Sequence, residues 1–287
     1  MKIDGRTGLV AIFGDPIDHT LSPAIHNAAF EHLGLNRVYF PFHVRPADLK
    51  AAVSSIRTLG FTGANITIPH KERVMRFLDD VHVHAKDVGA VNTVVNKKGR
   101  LIGYNTDGAG YLLSLREETG FVVRGKKIVI LGAGGASRAI FHALLDARPA
   151  SVVLANRTPK RAEDLAREFA KKFKNTVIRT VPFKKGPLSD EAHGADLLVN
   201  TTSLGMTGQA KLDFPVDSLP KGSVVSDIVY RPLETDLLKK ARRRGLKTHD
   251  GLSMLVRQGS IGFELWTGKK APVELMRKAA KKALGLR

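Results

Sequence analysis

The sequence predicts an α/β protein made of two α/β domains. Short apolar segments that end at glycine or proline alternate with amphipathic segments along most of the chain, the pattern of strand–helix units. A length of 287 residues fits one large domain or two of medium size. Near residue 126 the pattern changes, because a fully apolar strand leads into a glycine-rich turn and a helix. We therefore expect one domain from 1–106 plus 247–287, and a Rossmann-like, doubly wound domain from 107–246.

The first third of the chain reads as alternating strands and helices. GLVAIFG (8–14) is an apolar run that ends at glycine, as a buried strand does. Ser22 and Pro23 have the pattern of an N-cap followed by proline at the first helical position, which predicts a helix as far as Gly34. The segments that follow predict a strand (37–44), a helix (46–60), a strand (61–69), a helix (70–81), two strands around a Lys-Gly turn (90–105) and a helix (107–120).

The second predicted domain has fully apolar strands, which is typical of a parallel sheet covered by helices on both faces. Residues 247–287 are mostly helical in pattern and continue no strand of this domain, so we expect them to fold back on the first domain. The segments of the second domain predict strands at 126–131, 151–158, 196–202 and 223–230, with helices at 132–147 and 160–173.

The chain is strongly basic, with a formal net charge of +19 and a pI of about 10.2. Such a charge suggests binding of polyanions. However, the basic clusters at 171–174, 239–244 and 277–282 lie inside helical segments, where they are typical of solvated faces. Aromatic residues make up 6% of the chain and do not interleave with these clusters, and we find no nucleic-acid-binding motif. We therefore expect no specific nucleic-acid partner.

Other features of the composition favour a cytoplasmic enzyme. No segment approaches the roughly 18 consecutive apolar residues that a membrane-spanning helix needs. The N-terminal segment lacks the long apolar stretch of a secretory signal. The chain contains no cysteine, which excludes disulfides and thiolate metal sites, and we predict no metal site.

A dinucleotide site is predicted where the strand 126–131 meets the following helix. The turn reads Gly132-Ala133-Gly134-Gly135-Ala136-Ser137. Glycine at 132 allows the tight turn, glycine at 134 lets the backbone approach a pyrophosphate, and the helix N-terminus supplies free N–H groups. The third position of the fingerprint is Ser137 in place of glycine, so the motif alone is only moderately specific.

The next strand indicates which dinucleotide is bound. An NAD site usually carries an acidic residue about 20 positions further on, which binds the ribose 2′-hydroxyl. Here the strand ends in Asn156-Arg157-Thr158, with Lys160 and Arg161 close behind. An arginine and a hydroxyl would bind a 2′-phosphate that an acidic residue would repel. The sequence therefore favours NADP over NAD.

The first domain carries polar residues where a core pattern would place apolar ones. Asn65 and Thr67 alternate along a strand and so point to one face, and Lys71 follows that strand. Asn92 lies in another apolar strand, and Asp107 begins a helix. Strand ends and helix starts that meet at a crevice are where α/β proteins bind ligands, so we interpret these five residues as one site.

Eight motifs follow one another along the chain. They are GDPIDHTLSPAIHNAAF (14–30), GANITIPHK (63–71), GAVNT (89–93), GYNTDGAG (103–110), GAGGASRA (132–139), ANRT (155–158), DIVYRPLETDLL (227–238) and DGLSMLVRQGSIGFELWTG (250–268). Taken in order, these motifs resemble those of the shikimate dehydrogenases, and the resemblance runs nearly end to end. It implies that the chain reduces 3-dehydroshikimate to shikimate with NADPH, a step in aromatic amino-acid synthesis. The implied architecture is an N-terminal substrate domain followed by an NADP-binding domain.

The resemblance also implies roles for individual residues. Lys71 matches the catalytic lysine and is paired with Asp107. Thr20 and Ser22 match the hydroxyls that bind the substrate carboxylate, and Tyr230 and Gly251 match positions that line the gap between the domains. Positions that hold ring hydroxyls are matched by Asn65, Thr67, Asn92, Asp107 and Gln258, and cofactor positions beyond the glycine turn by Thr201, Ser203, Ile228 and Gly251.

One departure concerns Thr20, because the family usually has serine there. Threonine keeps the hydroxyl and adds a methyl group, so carboxylate binding should survive in a tighter pocket.

This departure makes a quinate/shikimate dehydrogenase with relaxed substrate or cofactor preference the alternative enzyme. The alternatives from other classes are a basic nucleic-acid-binding protein and a redox-sensing binding protein that has lost catalysis. A homodimer is one arrangement that the sequence allows but does not determine.

Two assignments of the proton-transfer step to Lys71 and Asp107 are compatible with the sequence. Carbonyl reduction needs a hydride on carbon and a proton on oxygen. Lys71 would donate the proton, or it would stabilise the developing oxyanion while Asp107 handles the proton. We expect the two residues to act as a unit.

Overall fold

The computed structural model describes residues 3–286 and divides the chain into two compact units. One unit holds the chain up to Gly110 and from Val256 onward, and the other holds Tyr111–Leu255. Both divisions fall inside helices, whereas the sequence placed its domain boundaries at 106/107 and 246/247. Sequence signals mark where a helix begins, and they do not reveal that a continuous helix serves two units.

The first unit contains a six-stranded mixed sheet with the strand order β2-β1-β3-β5-β6-β4. Strand β1 is parallel to both β2 and β3, β5 is antiparallel to β3 and β6, and β4 is parallel to β6. The elements are β1 (Gly8–Gly14), α1 (Ser22–His32), β2 (Arg37–His43), α2 (Leu49–Thr58), β3 (Gly63–Ile66), β4 (Asp80–Val81), α3 (Val83–Val88), β5 (Thr93–Lys97), β6 (Arg100–Tyr104) and the start of α4 (Asp107–Thr119).

Apolar spacing explains how the helices of this unit pack. Helix α2 places Leu49, Val53 and Ile56 on one face, and all three side chains are buried in a core that also contains residues of β1 and β3. The chain returns to this unit with the later part of α9 (Gly251–Thr267) and with α10 (Val273–Ala283), and α10 packs on α1.

Two local predictions for this unit are wrong. The segment 70–81 is not one helix: a turn leads into a 3-10 helix, Arg73–Phe77, and the chain then extends to form β4. Pairing of Asp80 and Val81 with β6 overrides the helical spacing of the apolar residues. In addition, Ser22 is the first residue of α1, with Leu21 at the N-cap position and no side-chain cap.

The second unit contains six parallel strands in the order β12-β11-β10-β7-β8-β9. This is the doubly wound order of a Rossmann fold, in which the switch point lies between β7 and β10. Two separate clusters of buried apolar side chains pack with this sheet. The elements are β7 (Lys127–Leu131), α5 (Gly135–Asp146), β8 (Ser151–Asn156), α6 (Pro159–Ala170), β9 (Val177–Pro182), α7 (Lys185–Ala192), β10 (Leu197–Asn200), β11 (Val224–Asp227), α8 (Asp236–Arg243) and β12 (Lys247–His249).

The sequence missed the two edge strands, β9 and β12. Strand β9 includes Arg179 and Thr180 and has no fully buried residue, so it lacks the apolar run that marks the central strands. Strand β12 has three residues, Lys247 to His249, which is too short for a periodic pattern. Among residues 3–286, none of the helices combines the length and apolar character that crossing a bilayer would require.

Candidate active site

A buried ion pair between Lys71 and Asp107 lies at the centre of the candidate site in the first unit. The Lys71 Nζ donates to Asp107 Oδ2 over 2.6 Å, and the two side chains are 13% and 5% exposed. Asp107 is the first residue of α4, where the free N–H groups and the helix dipole favour a negative charge. Such burial makes the pair far less screened by solvent than the exposed ion pairs of this protein.

The turn that carries Lys71 is held at two points. The neighbouring His70 is buried, and its Nε2 lies 2.6 Å from the carbonyl oxygen of Val44. Because a carbonyl oxygen only accepts, Nε2 carries the proton. The carbonyl oxygen of Lys71 accepts a 2.8 Å hydrogen bond from the N–H of Val91. These bonds fix the backbone from which Lys71 reaches Asp107.

Asn92 links Asp107 to Gln258. The backbone N–H of Thr106 donates to Asn92 Oδ1 over 2.8 Å, which determines which side-chain atom is the oxygen. Asn92 Nδ2 therefore faces Asp107 Oδ1 at 2.8 Å, Thr106 Oγ1 at 2.9 Å and Gln258 Oε1 at 3.2 Å. Three predicted site residues thus meet through one amide.

The structure also places the other predicted substrate residues of this unit. Asn65 lies on β3, and its Nδ2 donates to the carbonyl oxygen of Asn92 over 3.0 Å. Thr67 follows β3, and its N–H donates to the carbonyl oxygen of Phe13. At the start of α1, the N–H of Ser22 donates to Thr20 Oγ1 over 3.2 Å. Thr20 thereby gives the helix the hydroxyl contact that the sequence had assigned to Ser22.

The glycine turn of the second unit has the geometry that a dinucleotide needs. Gly132 has a φ of +112°, and a Cβ there would lie 2.4 Å from Thr201 Oγ1. Gly134 differs, because a Cβ there would meet no atom within 4 Å. Helix α5 begins at Gly135 with Gly134 at the N-cap position, and this N-cap residue supplies no side-chain acceptor to the helix. These residues fit a pyrophosphate at the helix N-terminus.

The end of β8 presents the basic group predicted to select the cofactor. Asn156 Nδ2 donates to the carbonyl oxygen of Thr158 over 2.9 Å, which closes a small turn. Arg157 and Thr158 are exposed at this turn, and 151–158 contains no acidic residue. The arrangement fits a 2′-phosphate better than a free ribose hydroxyl pair.

The remaining predicted residues of the second unit lie on the loops after β10 and β11, except Gly251, which begins α9. Thr201 Oγ1 donates to the carbonyl oxygen of Leu131 over 2.7 Å, and Ser203 is exposed. A Cβ on Gly251 would lie 2.1 Å from the carbonyl oxygen of Ile228, so only glycine allows this approach. Tyr230 also belongs to this unit, and burial raises its pKa.

Comparison with known proteins identifies the family. A model of the shikimate dehydrogenase substrate-binding domain matches residues 12–94, a shikimate/quinate 5-dehydrogenase model matches 115–203, and a shikimate 5-dehydrogenase C-terminal domain model matches 251–281. The NADP(+) shikimate dehydrogenase of Moorella thermoacetica is 48% identical over 99% of this chain and 96% of its own length. The chain belongs to the shikimate dehydrogenase family.

Two further relatives support the same family. The NADP(+) shikimate dehydrogenase of Symbiobacterium thermophilum is 50% identical over 98% of this chain and 96% of its own. A crystal structure of shikimate 5-dehydrogenase from Thermus thermophilus, in complex with NADP(H) and shikimate, has a TM-score of 0.86 and 40% identity, and the match covers 96% of this chain and 99% of that one. The two-domain α/β fold predicted from the sequence is confirmed.

Sequence reasoning missed several residues that support the site of this shikimate dehydrogenase family member. Tyr39, Thr93 and Thr106 hydrogen-bond to predicted site residues, and His70 holds the turn of Lys71 through its hydrogen bond to Val44.

A buried carboxylate of the second unit was also missed. Asp227 lies at the end of β11 and is hydrogen-bonded by Asn200, Thr235 and the N–H of Val229. Burial raises the pKa of Asp227 to about 6, and these hydrogen bonds oppose that rise. Buried polar residues inside strands were the available signal, but it does not identify their partners.

Proposed function

We infer that this chain catalyses the reversible, NADPH-dependent reduction of 3-dehydroshikimate to shikimate in aromatic amino-acid biosynthesis. The curated relatives described above are named as NADP(+) shikimate dehydrogenases, and the match extends over nearly the whole chain. The observation that carries the proposal is the buried Lys71–Asp107 pair, connected through Asn92 to Gln258. A protein that only binds polyanions through its surface charges would not need a network of buried, hydrogen-bonded polar groups.

The proposed chemistry divides between the cofactor and the protein. When bound, NADPH supplies a hydride to the carbonyl carbon. We propose that Lys71 and Asp107 manage the proton that reaches the carbonyl oxygen. Lys71 brings a positive charge and three N–H donors, and Asp107 brings an acceptor in direct contact with it. In shikimate oxidation the same pair receives the hydroxyl proton.

Binding residues would orient the ring against this pair. We propose that Thr20 and Ser22, beside the N-terminus of α1, bind the substrate carboxylate, since a helix N-terminus favours an anion. Asn65, Thr67, Asn92 and Gln258 would hold ring hydroxyls, and Tyr230 from the second unit is proposed as a further substrate residue. The methyl group of Thr20 narrows the space beside the carboxylate but leaves its hydroxyl available.

The second unit would bind NADP. We propose that the pyrophosphate lies on the turn formed by Gly132, Ala133, Gly134, Gly135 and Ala136, whose exposed backbone at Gly134 leaves room for it. Arg157, flanked by Asn156 and Thr158, would bind the 2′-phosphate. Thr201, Ser203, Ile228 and Gly251 would complete the cofactor site.

One assay separates this function from the alternatives. The purified protein is incubated with NADP⁺ or NAD⁺ and with shikimate or quinate, and formation of the reduced nicotinamide is measured by absorbance. We expect NADP⁺ with shikimate to give the highest kcat/KM. Turnover of quinate with NAD⁺ at a comparable kcat/KM would indicate an enzyme with relaxed substrate and cofactor preference, and no turnover with any pair would contradict the proposal.

A cytoplasmic location and a homodimer are further predictions, which fractionation and light scattering would test.

A further inference from the structure

Tyr39 is a buried residue of β2 whose hydroxyl meets two predicted substrate residues. Its residue exposure is 1%, and its hydroxyl donates to Asn65 Oδ1 over 2.6 Å. The same hydroxyl interacts with the side chain of Ser22, which opposes the strong rise that burial causes in the pKa of Tyr39. The ring of His26 stacks on the Tyr39 ring at 4.5 Å, so the phenol is held in place.

The donors and acceptors around Asn65 determine how its amide is oriented. Its Nδ2 donates to the carbonyl oxygen of Asn92 over 3.0 Å and to Thr93 Oγ1 over 3.2 Å. A backbone carbonyl only accepts, so the atom that faces it must be the amide nitrogen. Thr93 Oγ1 in turn donates to Asn92 Oδ1 over 3.0 Å, which leaves its oxygen to accept from Asn65. Both hydrogens of Asn65 Nδ2 are therefore in use.

One position on Asn65 remains for a ligand. Its Oδ1 receives the Tyr39 hydroxyl and, like any carbonyl oxygen, can accept a second hydrogen bond. Since Asn65 has no hydrogen left to donate, a ligand group that binds it must itself be a donor. A hydroxyl satisfies this requirement, whereas an ether or a fluorine does not.

We propose that Tyr39 is a positioning residue that, with Thr93, presents Asn65 to the substrate as a hydrogen-bond acceptor only. The proposal rests on the proposed function for the identity of the substrate, shikimate. It adds a requirement for specificity: the ring hydroxyl that contacts Asn65 must donate a hydrogen bond to its Oδ1. Tyr39 acts on the substrate through Asn65, and it has no role in proton transfer between Lys71 and the carbonyl oxygen.

The test measures shikimate binding by calorimetry, which does not depend on turnover. Tyr39→Phe removes one oxygen and keeps the ring, and we expect the Kd for shikimate to rise about 10-fold, the effect of one lost hydrogen bond of ordinary strength. In an Asn65→Ala background the same change should raise Kd less than about 2-fold, because the residue acts through Asn65. Tyr111→Phe, which removes an equally buried hydroxyl in the second unit, is the matched control and should leave Kd unchanged.

Thr93→Val is the second variant, since it preserves shape and strand propensity while removing the hydroxyl that accepts from Asn65. We expect it to weaken shikimate binding in the same direction. The ring hydroxyls of shikimate are then replaced by fluorine one at a time. We expect one of these analogues to bind the wild type more weakly than shikimate does. In Asn65→Ala the same analogue and shikimate should bind with equal affinity. An unchanged Kd in Tyr39→Phe, or equal effects in both backgrounds, would overturn the proposal.

A readout without substrate separates this proposal from the proposed function. The side-chain amide resonances of Asn65, assigned by their absence in Asn65→Ala, should shift in ¹⁵N-labelled Tyr39→Phe and stay in place in Tyr111→Phe. Unshifted resonances in Tyr39→Phe contradict the positioning role even if shikimate is turned over. Shifted resonances in a protein that neither binds nor oxidises shikimate support the role and reject the proposed substrate.

Discussion

The Nζ of Lys71 and the Oδ2 of Asp107 are 2.6 Å apart in a setting where both side chains are almost fully buried. The other carboxylate oxygen, Oδ1, receives the amide of Asn92. Asp107 thus has one oxygen for the cation and one for a neutral donor. This arrangement keeps the carboxylate oriented while leaving the remaining donors of Lys71 for a substrate oxygen.

We predict that Lys71→Ala lowers kcat for shikimate oxidation by about 10²–10⁴-fold, the usual contribution of a positioned acid or base. The KM for shikimate should stay within about 3-fold, since the binding residues are untouched. Lys86→Ala is the matched control, because it breaks an exposed Lys–Asp pair of the same unit with an Nζ–Oδ1 distance of 3.3 Å. Steady-state kinetics check both variants, and a Lys71→Ala enzyme with near-normal kcat would exclude the assignment.

Removing Lys71 also leaves a buried carboxylate without its cation, which can cost about 3–5 kcal/mol of stability. Lys71→Met fills more of the space and is therefore the companion variant. Circular dichroism and thermal unfolding show whether the variants are folded. A folded Lys71→Met protein with the same loss of kcat attributes the loss to chemistry.

Two glycines of the cofactor turn should respond differently to alanine. Gly134→Ala adds a Cβ that meets no protein atom, so we predict unchanged stability and a KM for NADP⁺ that rises at least about 10-fold, because the methyl occupies the space proposed for the pyrophosphate. Gly132→Ala should instead lower the unfolding midpoint, since φ is +112° and Thr201 Oγ1 would be 2.4 Å away. Thermal unfolding and NADP⁺ kinetics distinguish the two variants. A normal KM in Gly134→Ala would argue against a pyrophosphate at this turn.

Arg157 should determine the choice of cofactor. We predict that Arg157→Gln raises the KM for NADP⁺ about 10- to 100-fold, the effect of losing a charge-assisted hydrogen bond, and changes the KM for NAD⁺ less than about 3-fold. Arg167→Gln is the control, because Arg167 is an exposed arginine of α6 that pairs with Asp164. Parallel titrations with the two cofactors provide the measurement. Equal losses for NADP⁺ and NAD⁺ would mean that Arg157 does not contact the 2′-phosphate.

Local patterns predicted much of the fold because the central strands carry their signal within a few residues. The apolar run before Gly132 and the glycine turn after it can place a strand, a turn and a helix without knowledge of distant contacts. The segment 70–81 shows the opposite case. Its apolar spacing favours a helix, but pairing of Asp80 with β6 depends on a strand about twenty residues further on.

The same distinction applies to the candidate site. The position of Lys71 after a strand and that of Asp107 at a helix start predicted a pair, and the structure brings their charged atoms together. Tyr39 had no such local signal, because an apolar strand with one tyrosine is ordinary. Its importance depends on contact with Asn65, which is 26 residues away in sequence. Positioning residues are therefore harder to predict than the residues they position.

A buried histidine makes the stability of the first unit depend on pH. His26 lies in an aromatic cluster with Tyr39, Phe263 and Trp266, and its Nδ1 has no hydrogen-bond partner within the described structure. Burial lowers the pKa of His26 from 6.5 to about 3. The unfolded chain therefore binds a proton below pH 6.5 that the folded protein does not bind. The stability present above pH 6.5 is lost as the pH falls toward 3.

We predict that the wild type loses about 2 kcal/mol of unfolding free energy between pH 7 and pH 5 that His26→Phe does not lose, since each pH unit below 6.5 costs about 1.4 kcal/mol. Phenylalanine keeps an aromatic ring in the cluster and cannot titrate. His32→Gln removes an exposed histidine at the end of the same helix and is the matched control. Urea unfolding at pH 5, 6 and 7 gives the comparison. If the wild type and His26→Phe lose stability in parallel over this range, His26 is not the residue that couples folding to pH.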